Sequence, residues 1–546
     1  MHLLPVRLLS ARLRIVALLL IGLASIPPLS AHSATPPSQQ PPDQTPTIQI
    51  TSRLVYLDVT VLDKKNHPVT SGLTQDDFTI TEEKKPQRIF SFQPPDAHGS
   101  ADSPSGQPPI TIFVLDQLNS SFEQMGYIRY QVHQYLATQP DLLPAPAEVL
   151  IVGNRSLELL QAYTRNKSEL LYAVDHLPSA LPYKFMNGAF WAERFEQSVD
   201  ALQEIALQNS GIPGRKNIIW VGHGGPSIYT TALVGGVVDQ LNQFVHQTTN
   251  MLVDARMSLF VIYPWLSVRN PTITYSEQSA EVDPGDTDPF AGDINFGVFV
   301  NATGGKLFFN RNDIDTEIKT SIALGSNYYT LTYQPPMDNP SNKHDFDGHF
   351  KRIRVNLRNP GLHAVTKVGY FAPDKNAVIS PQQQALFSLM RTTSSTIAFD
   401  ALDLTARVTS RHPDANTGTF KLNLSSKNLS WNPTDQGKSI TSILVQASSL
   451  SSRRETLSSK TEALTLTAPT QNPADLARTA NIFSITLRVP RKAKSVRFAV
   501  SDPASNRIGT AEIDRTLVDQ APPTPTPIPP TDPQPLKQGQ SSTHPR

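Results

Sequence analysis

Asp116 closes the apolar run TIFVLD and is followed by QLNSS, so a carboxylate, an amide and two hydroxyls (Asn119, Ser120, Ser121) fall within six residues. Oxygens gathered at the end of a buried strand invite a hard divalent cation, which asks for several fixed oxygen ligands. The same groups suit a helix start. Asp116, Ser120 or Ser121 can accept from the free N–H groups of a first turn, worth on the order of 1 kcal/mol. A second candidate is GHGGPS at 222–227, where His223 and its glycines are of the kind that form an oxyanion loop in some esterases. That chemistry also needs a G-x-S-x-G nucleophile elbow, and none follows the first 33 residues. A third is EVDPGDTDPFAGD, which gathers Glu281, Asp283, Asp286, Asp288 and Asp293 but lacks the order of a calcium loop and its closing Glu. Phosphate-loop, dinucleotide and H-E-x-x-H zinc signatures are missing from the sequence.

The elements that must position these residues alternate. TIFVLD, EVLIVGN, NIIWVGH, SLFVIYP and KLFFN read as buried strands. Helical spacing lies between them: Phe122, Met125, Ile128, Val132, Tyr135; Phe195, Val199, Leu202, Ile205; Leu233, Val237, Leu241, Phe244; Ile314, Ile318, Ile322. Strands alternating with helices imply right-handed crossovers and a doubly wound, mostly parallel sheet over 108–325. On the first helix Tyr127, Tyr130 and Tyr135 accompany Arg129, partly core and partly surface, with no nucleic-acid role.

The flanks have period two. Segment 48–95 alternates at Leu54 and Tyr56, or Val55, then Val59 and Val61, and resumes in DDFTITEEKKPQRIFSF. A few strands alone make a marginal sheet, so their expected partners are NYYTLTYQPP, RIRVNLRN and AVTKVGYFAP in 326–373. The α/β stretch is thereby expected to be inserted in a β-sandwich. Residues 376–515 read as a second, all-β sandwich, and 516–546 as a Pro-rich, polyproline-type tail.

The strand–Asp–loop–helix start at 112–135, the NIIWVGHG strand and TGGKLFFN with its short helix resemble the von Willebrand factor type A domain. With LVYLDVTVLDKKNHPVTSGLTQDDFTITEEKKPQRIFSF ahead and YYTLTYQPP and RIRVNLRNPGLHAVTKVGYFAP behind, the stretch 50–373 is similar to the von Willebrand A-related proteins abundant in acidobacteria. The resemblance implies adhesion or protein binding rather than catalysis, through a face at the C-terminal ends of the parallel strands. It also implies a cation held by an Asp-x-Ser-x-Ser loop, a Thr on a second loop and an Asp on a third. Laid on this chain, the first motif reads Asp116, Leu118, Ser120. The second loop, within LPSALPYKFMNGAF (177–190), has no Thr, and the third reads Gly222, His223, Gly224. The expectation is a degenerate metal site without cofactor, its positions Asp116, Asn119, Ser120 and His223 forming a binding face. A cation such as Mg2+ and a metal-dependent binder are kept as the alternative, as is a hydrolase on the α/β core.

Composition limits the rest. Residues 1–33 carry Arg7, Arg12 and Arg14, the apolar run IVALLLIGLASI and small residues near Ala31 to Ala34, the pattern of a secretory signal peptide, followed by a Pro-rich linker at 34–47. Losing three basic and no acidic residues with that segment takes the net charge from +1 to −2, which offers no electrostatic footprint for nucleic acid. Cysteine is absent, so disulfides and thiolate metal sites are excluded. A secreted bacterial protein, periplasmic or extracellular, with an unidentified protein partner and no membrane span after cleavage is expected.

Overall fold

The computed structural model describes residues 54–98, 108–178, 180–181, 183–184, 190–229, 235–264, 294–335, 348–372 and 381–523. The expected signal peptide and 34–47 linker, the acidic loop as far as Asp293 and the tail from 524 lie outside the described residues. No helix among the described residues is long and apolar enough to cross a membrane.

The chain opens with β1 (Val55–Leu62), β2 (Phe78–Glu82), β3 (Lys85–Gln87) and β4 (Ile89–Gln93). Val55, Leu57, Val59 and Val61 point inward, while Tyr56 is 43% exposed, so the inward set is the one beginning at Val55 and not the one at Leu54 and Tyr56.

A six-stranded sheet follows. Its strands are β5 (Ile110–Asp116), β6 (Leu142–Val152), β7 (Leu157–Asn166), β8 (Lys216–Val221), β9 (Met257–Pro264) and β10 (Lys306–Arg311), in the order β10-β9-β8-β5-β6-β7. The pairs β10/β9, β9/β8, β8/β5 and β5/β6 are parallel, and only β7 runs antiparallel. Side-chain alternation divides the sheet into two cores. Ile112, Val114, Leu150, Val152, Ile218, Trp220, Leu259 and Val261 pack on α3 (Trp191–Gln208), α4 (Gly235–Asp254) and α5 (Gly297–Thr303). Phe113, Leu115, Val149, Ile151, Ile219, Val221, Phe260 and Ile262 face α1 (Phe122–Ala137), α2 (Lys167–Asp175) and α6 (Ile314–Ser326).

After the sheet come β11 (Tyr329–Tyr333), β12 (Phe350–Leu357), β13 (His363–Val365) and β14 (Gly369–Phe371). They pair with the opening strands: β1 joins β11 from Val55↔Tyr333 to Val59↔Tyr329, and β12 joins β2 from Ile353↔Glu82 to Leu357↔Phe78. Two four-stranded sheets, β13-β1-β11-β4 and β14-β12-β2-β3, share a core of Leu57, Val59, Phe78, Ile80, Tyr329, Leu331 and Ile353. At the junction with the parallel sheet, Asp58 accepts from Arg256 Nε at 3.0 Å, from an Arg256 terminal nitrogen and from Thr330 Oγ1 at 2.8 Å. Beside it Arg215 donates to Ser258 Oγ (3.0 Å) and Thr60 Oγ1 (3.1 Å), and lies over the Tyr328 ring, on which His98 stacks.

Helix α7 (Pro381–Ser394) leads into β15 (Leu404–His412), β16 (Thr417–Ser425), β17 (Asn432–Pro433), β18 (Ser439–Leu450), β19 (Thr456–Ala468), β20 (Ala480–Arg488), β21 (Ser495–Asp502) and β22 (Arg507–Asp514). These form a β15-β16-β20 sheet and a β17-β18-β21-β22 sheet that carries β19 on β18. The module is fastened to α3: Arg391 reaches Asp200 (3.2 Å), Ser395 donates to Glu204 (3.0 Å), and Phe399, Ala499 and Ile508 join the core that contains Phe195 and Leu202.

Candidate functional site

The site sits where β5 and β8 end. Strand β5 is buried on both faces because Ile112–Leu115 is an unbroken apolar run, and Asp116 is its last residue. Ser121 caps α1: its Oγ accepts from Gln124 N (3.2 Å) while Gln124 Oε1 accepts from Ser121 N (2.8 Å), a capping box. The cap expected of Asp116, Ser120 or Ser121 is thus made by Ser121, and Asp116 is spent elsewhere.

Asp116 Oδ1 accepts from Asn119 N and Asn119 Nδ2, both at 3.0 Å. Its Oδ2 accepts from Trp220 Nε1 at 3.0 Å, Gly224 N at 2.7 Å and Asn119 Nδ2 at 3.2 Å. Burial pushes the carboxyl above its ordinary range, and the bonds from Gly224, Trp220 and Asn119 pull the other way. Asn119 is the bridge. Its amide nitrogen also donates to Ser198 Oγ (2.9 Å), and its oxygen accepts from Arg194 Nε (2.9 Å). His223 stacks on Tyr263 with centroids 5.4 Å apart. Burial holds it down at about 4, a bond to the Asn119 backbone opposes this, and the Arg194 charge lowers it further.

Asp116, Asn119, Ser120 and His223 therefore converge, but not as an exposed face. They are 0%, 0%, 0% and 1% exposed. The reason is a cover. Gln117 Nε2 donates to Pro178 O (2.9 Å) and Asn154 Nδ2 to Leu181 O (2.6 Å), which ties Pro178 and Leu181 to the residues that follow β5 and β6, while Ile228, just after the third loop, bridges Ile294. The expected binding face is a buried polar knot. His223, expected at the rim, is interior.

A divalent cation does not suit these residues. The one carboxylate is already surrounded by N–H donors, and Leu118 offers no oxygen. Ser120 Oγ is the single buried side-chain oxygen of the loop without a hydrogen-bond partner. Among the described residues no group of three or more His, Cys, Asp or Glu is placed to hold a metal.

Trp220, Arg194 and Ser198 were not among the residues singled out by sequence. Trp220 reads as core in NIIWVGH. Arg194 and Ser198 had a signal: they share a helical stripe with the apolar Ala201 and Ile205, so two polar groups stand at core-facing positions.

Gly222 adopts φ +140°, and a Cβ there would lie 2.3 Å from Asp116 Cβ. Gly222→Ala is expected to destabilise by roughly 2–3 kcal/mol, through strained backbone and displacement of the carboxylate. Chemical denaturation of the variant against wild type measures it; an unchanged midpoint would remove the claim that this turn is closed on Asp116.

Around the knot, the loops at the C-terminal ends of the strands and the first residues of α1 and α3 display large apolar side chains: Leu181 (74% exposed), Tyr183 (51%) and Tyr229 (50%) on loops, Phe122 (63%) and Trp191 (39%) at the helix starts. No family model and no curated protein matches the chain. Among solved structures it is similar to the SpRpn10 VWA domain, at 16% identity over 29% of this chain and 77% of that one, with a TM-score of 0.19. It is also similar to a point mutant of the PilB minor pilin from Streptococcus sanguinis (11% identity, 41% and 63% covered, TM-score 0.26). A third likeness is to proximal thread matrix protein 1 from the mussel byssus (10% identity, 42% and 48% covered, TM-score 0.24). The chain spans less than two thirds of the latter two, and superpositions this partial carry no weight.

Proposed function

We propose that this is a secreted, non-catalytic protein that binds another protein through the apolar rim above Asp116, on a von Willebrand A-like platform carried within a β-sandwich and needing no cation. The observation that carries the reading is the rim itself. Five large apolar groups stand exposed on loops and helix starts at the end of an open α/β sheet where ligands are usually received, and Trp and Tyr dominate binding energy at protein interfaces. Pairing of β1 with β11 and of β2 with β12 supports the platform being an insertion. The saturated carboxylate supports contact without a bridging metal.

The test uses the full chain as bait on native envelope extract. Tyr183→Asp and Trp191→Asp are expected to reduce recovery of a co-purifying protein at least tenfold, and Ile482→Asp, at an exposed position on β20, to leave it unchanged. Chelator should not matter. Equal recovery with the rim variants would end the reading, and turnover of ester or peptide substrates abolished by His223→Ala would favour a hydrolase instead.

A further inference from the structure

We propose that Arg194 is the resident cation of the Asp116 site, a guanidinium that supplies through Asn119 the positive charge a bound metal ion would otherwise bring. The inference deepens the metal-free reading above and rests on it.

A carboxylate with no exposure needs compensation for lost water, and N–H dipoles supply only part of it. The nearest fixed positive charge bonded into the knot is on α3. Arg194 is 2% exposed and donates Nε to Asn119 Oδ1 at 2.9 Å. The other end of that amide donates to Asp116 Oδ1 at 3.0 Å and Oδ2 at 3.2 Å. One planar amide therefore joins guanidinium to carboxylate, with its oxygen toward the cation and its nitrogen toward the anion, the alignment that electrostatics favours. Ser198 locks the bridge: its Oγ accepts from Asn119 Nδ2 (2.9 Å) and donates to the Arg194 carbonyl one turn back (2.9 Å). Asn119 could not serve both charges in another rotamer.

The residue type matters. Arginine stays charged in any protein environment, so this compensation cannot be stripped by chelation or by pH. His223, packed against the same bridge, is held neutral by burial, so it adds no second positive charge beside Asn119. A divalent ion approaching Asp116 would meet that guanidinium and be repelled. The two departures from the family pattern, a side chain without oxygen at Leu118 and a missing second carboxylate at His223, are then tolerable, because the ion they would have bound is replaced by a side chain.

The test is a double-mutant cycle on the full chain, with Asp116→Asn, Arg194→Met and the pair, followed by denaturant unfolding at neutral pH. Each single variant is expected to destabilise. The double variant should lose less than the sum, with a coupling of roughly tenfold or more in the unfolding equilibrium constant. Additive losses would overturn the proposal. Should a variant fail to fold, wild-type protein titrated with Mn2+ and followed by electron paramagnetic resonance decides alone: the free-ion signal should persist at millimolar metal, and its disappearance with a thermal midpoint raised by Mn2+ and lowered by chelator would overturn it. Neither readout involves a partner, so the rim can fail as a binding face while this assignment stands, and the reverse.

Discussion

Glu148→Gln is expected to stabilise the protein increasingly as pH rises. Glu148 lies within β6 with no exposed surface. Its Oε2 accepts from Gln208 Nε2 at 3.2 Å, and its Oε1 has no partner. Tyr163 lies beside it, but the Tyr163 hydroxyl proton is given to Asn209 Oδ1 at 2.8 Å. Burial pushes the Glu148 carboxyl up to about 8 from an ordinary 4.5, with the neighbouring Tyr163 hydroxyl and the Gln208 bond opposing and the Asp400 charge adding to the rise. A folded-state value above the unfolded one means that the folded protein binds the proton more tightly. The stabilisation is complete below about 4.5 and is lost as pH climbs through about 8. Across that window the loss is roughly 4–5 kcal/mol at about 1.4 kcal/mol per unit. Glutamine keeps the shape without the titration, so the variant should match wild type near pH 4.5 and exceed it by a few kcal/mol at pH 9. Denaturant unfolding of both proteins across this range measures the gap, and a difference that does not grow with pH would sink the prediction.

Asp58→Ala should produce the largest loss. The Asp58 side chain is 10% exposed and Arg256 22% exposed, so the alanine variant leaves Arg256 without its carboxylate and Arg215 without a neighbouring negative charge. Removing one partner of a buried pair costs about 3–5 kcal/mol, far more than the pair contributes when intact. Burial raises the Asp58 carboxyl, but the Arg256 charge and hydrogen bond, with Arg215 and Thr330, hold it below 3.8 overall. Its contribution is therefore present above 3.8 and lost as pH falls below that value. Differential scanning calorimetry on Asp58→Ala at neutral pH is the check. A loss under about 1 kcal/mol would reduce the junction to a surface ion pair.

The parallel sheet was legible because its strands are apolar on both faces and its larger helices carry long stripes. Strand β7 was not: LELLQAYTRN mixes polar and apolar residues, as an edge strand with one exposed side does, and shows neither the apolar run of a buried strand nor a clean alternation. Helix α2 follows it directly and is only nine residues long, too short for a stripe to stand out. At the site, sequence brought forward Asp116, Asn119, Ser120 and His223, which do converge, and missed that they are covered. Cover comes from Gln117 and Asn154, single amides whose bonds to the carbonyls of Pro178 and Leu181 leave no periodic trace. Trp220 was hidden for the opposite reason. A tryptophan in an apolar strand looks like filling, and nothing local says that its N–H will meet a carboxylate 104 positions away.

The pairing of β1 with β11 sets an order of assembly. Thr60 Oγ1 donates to Leu324 O across 264 positions, so β1 waits for nearly everything between before it finds its neighbour β11. Until then its backbone edges and valine-rich side chains are open to other chains. Closing a loop of that length early is slow, so the intervening sheet gains by collapsing first and delivering both ends to one place. Shortening or unfolding that middle segment would strand the opening residues rather than merely delete a module, and aggregation at the amino-terminal end is the failure this topology invites.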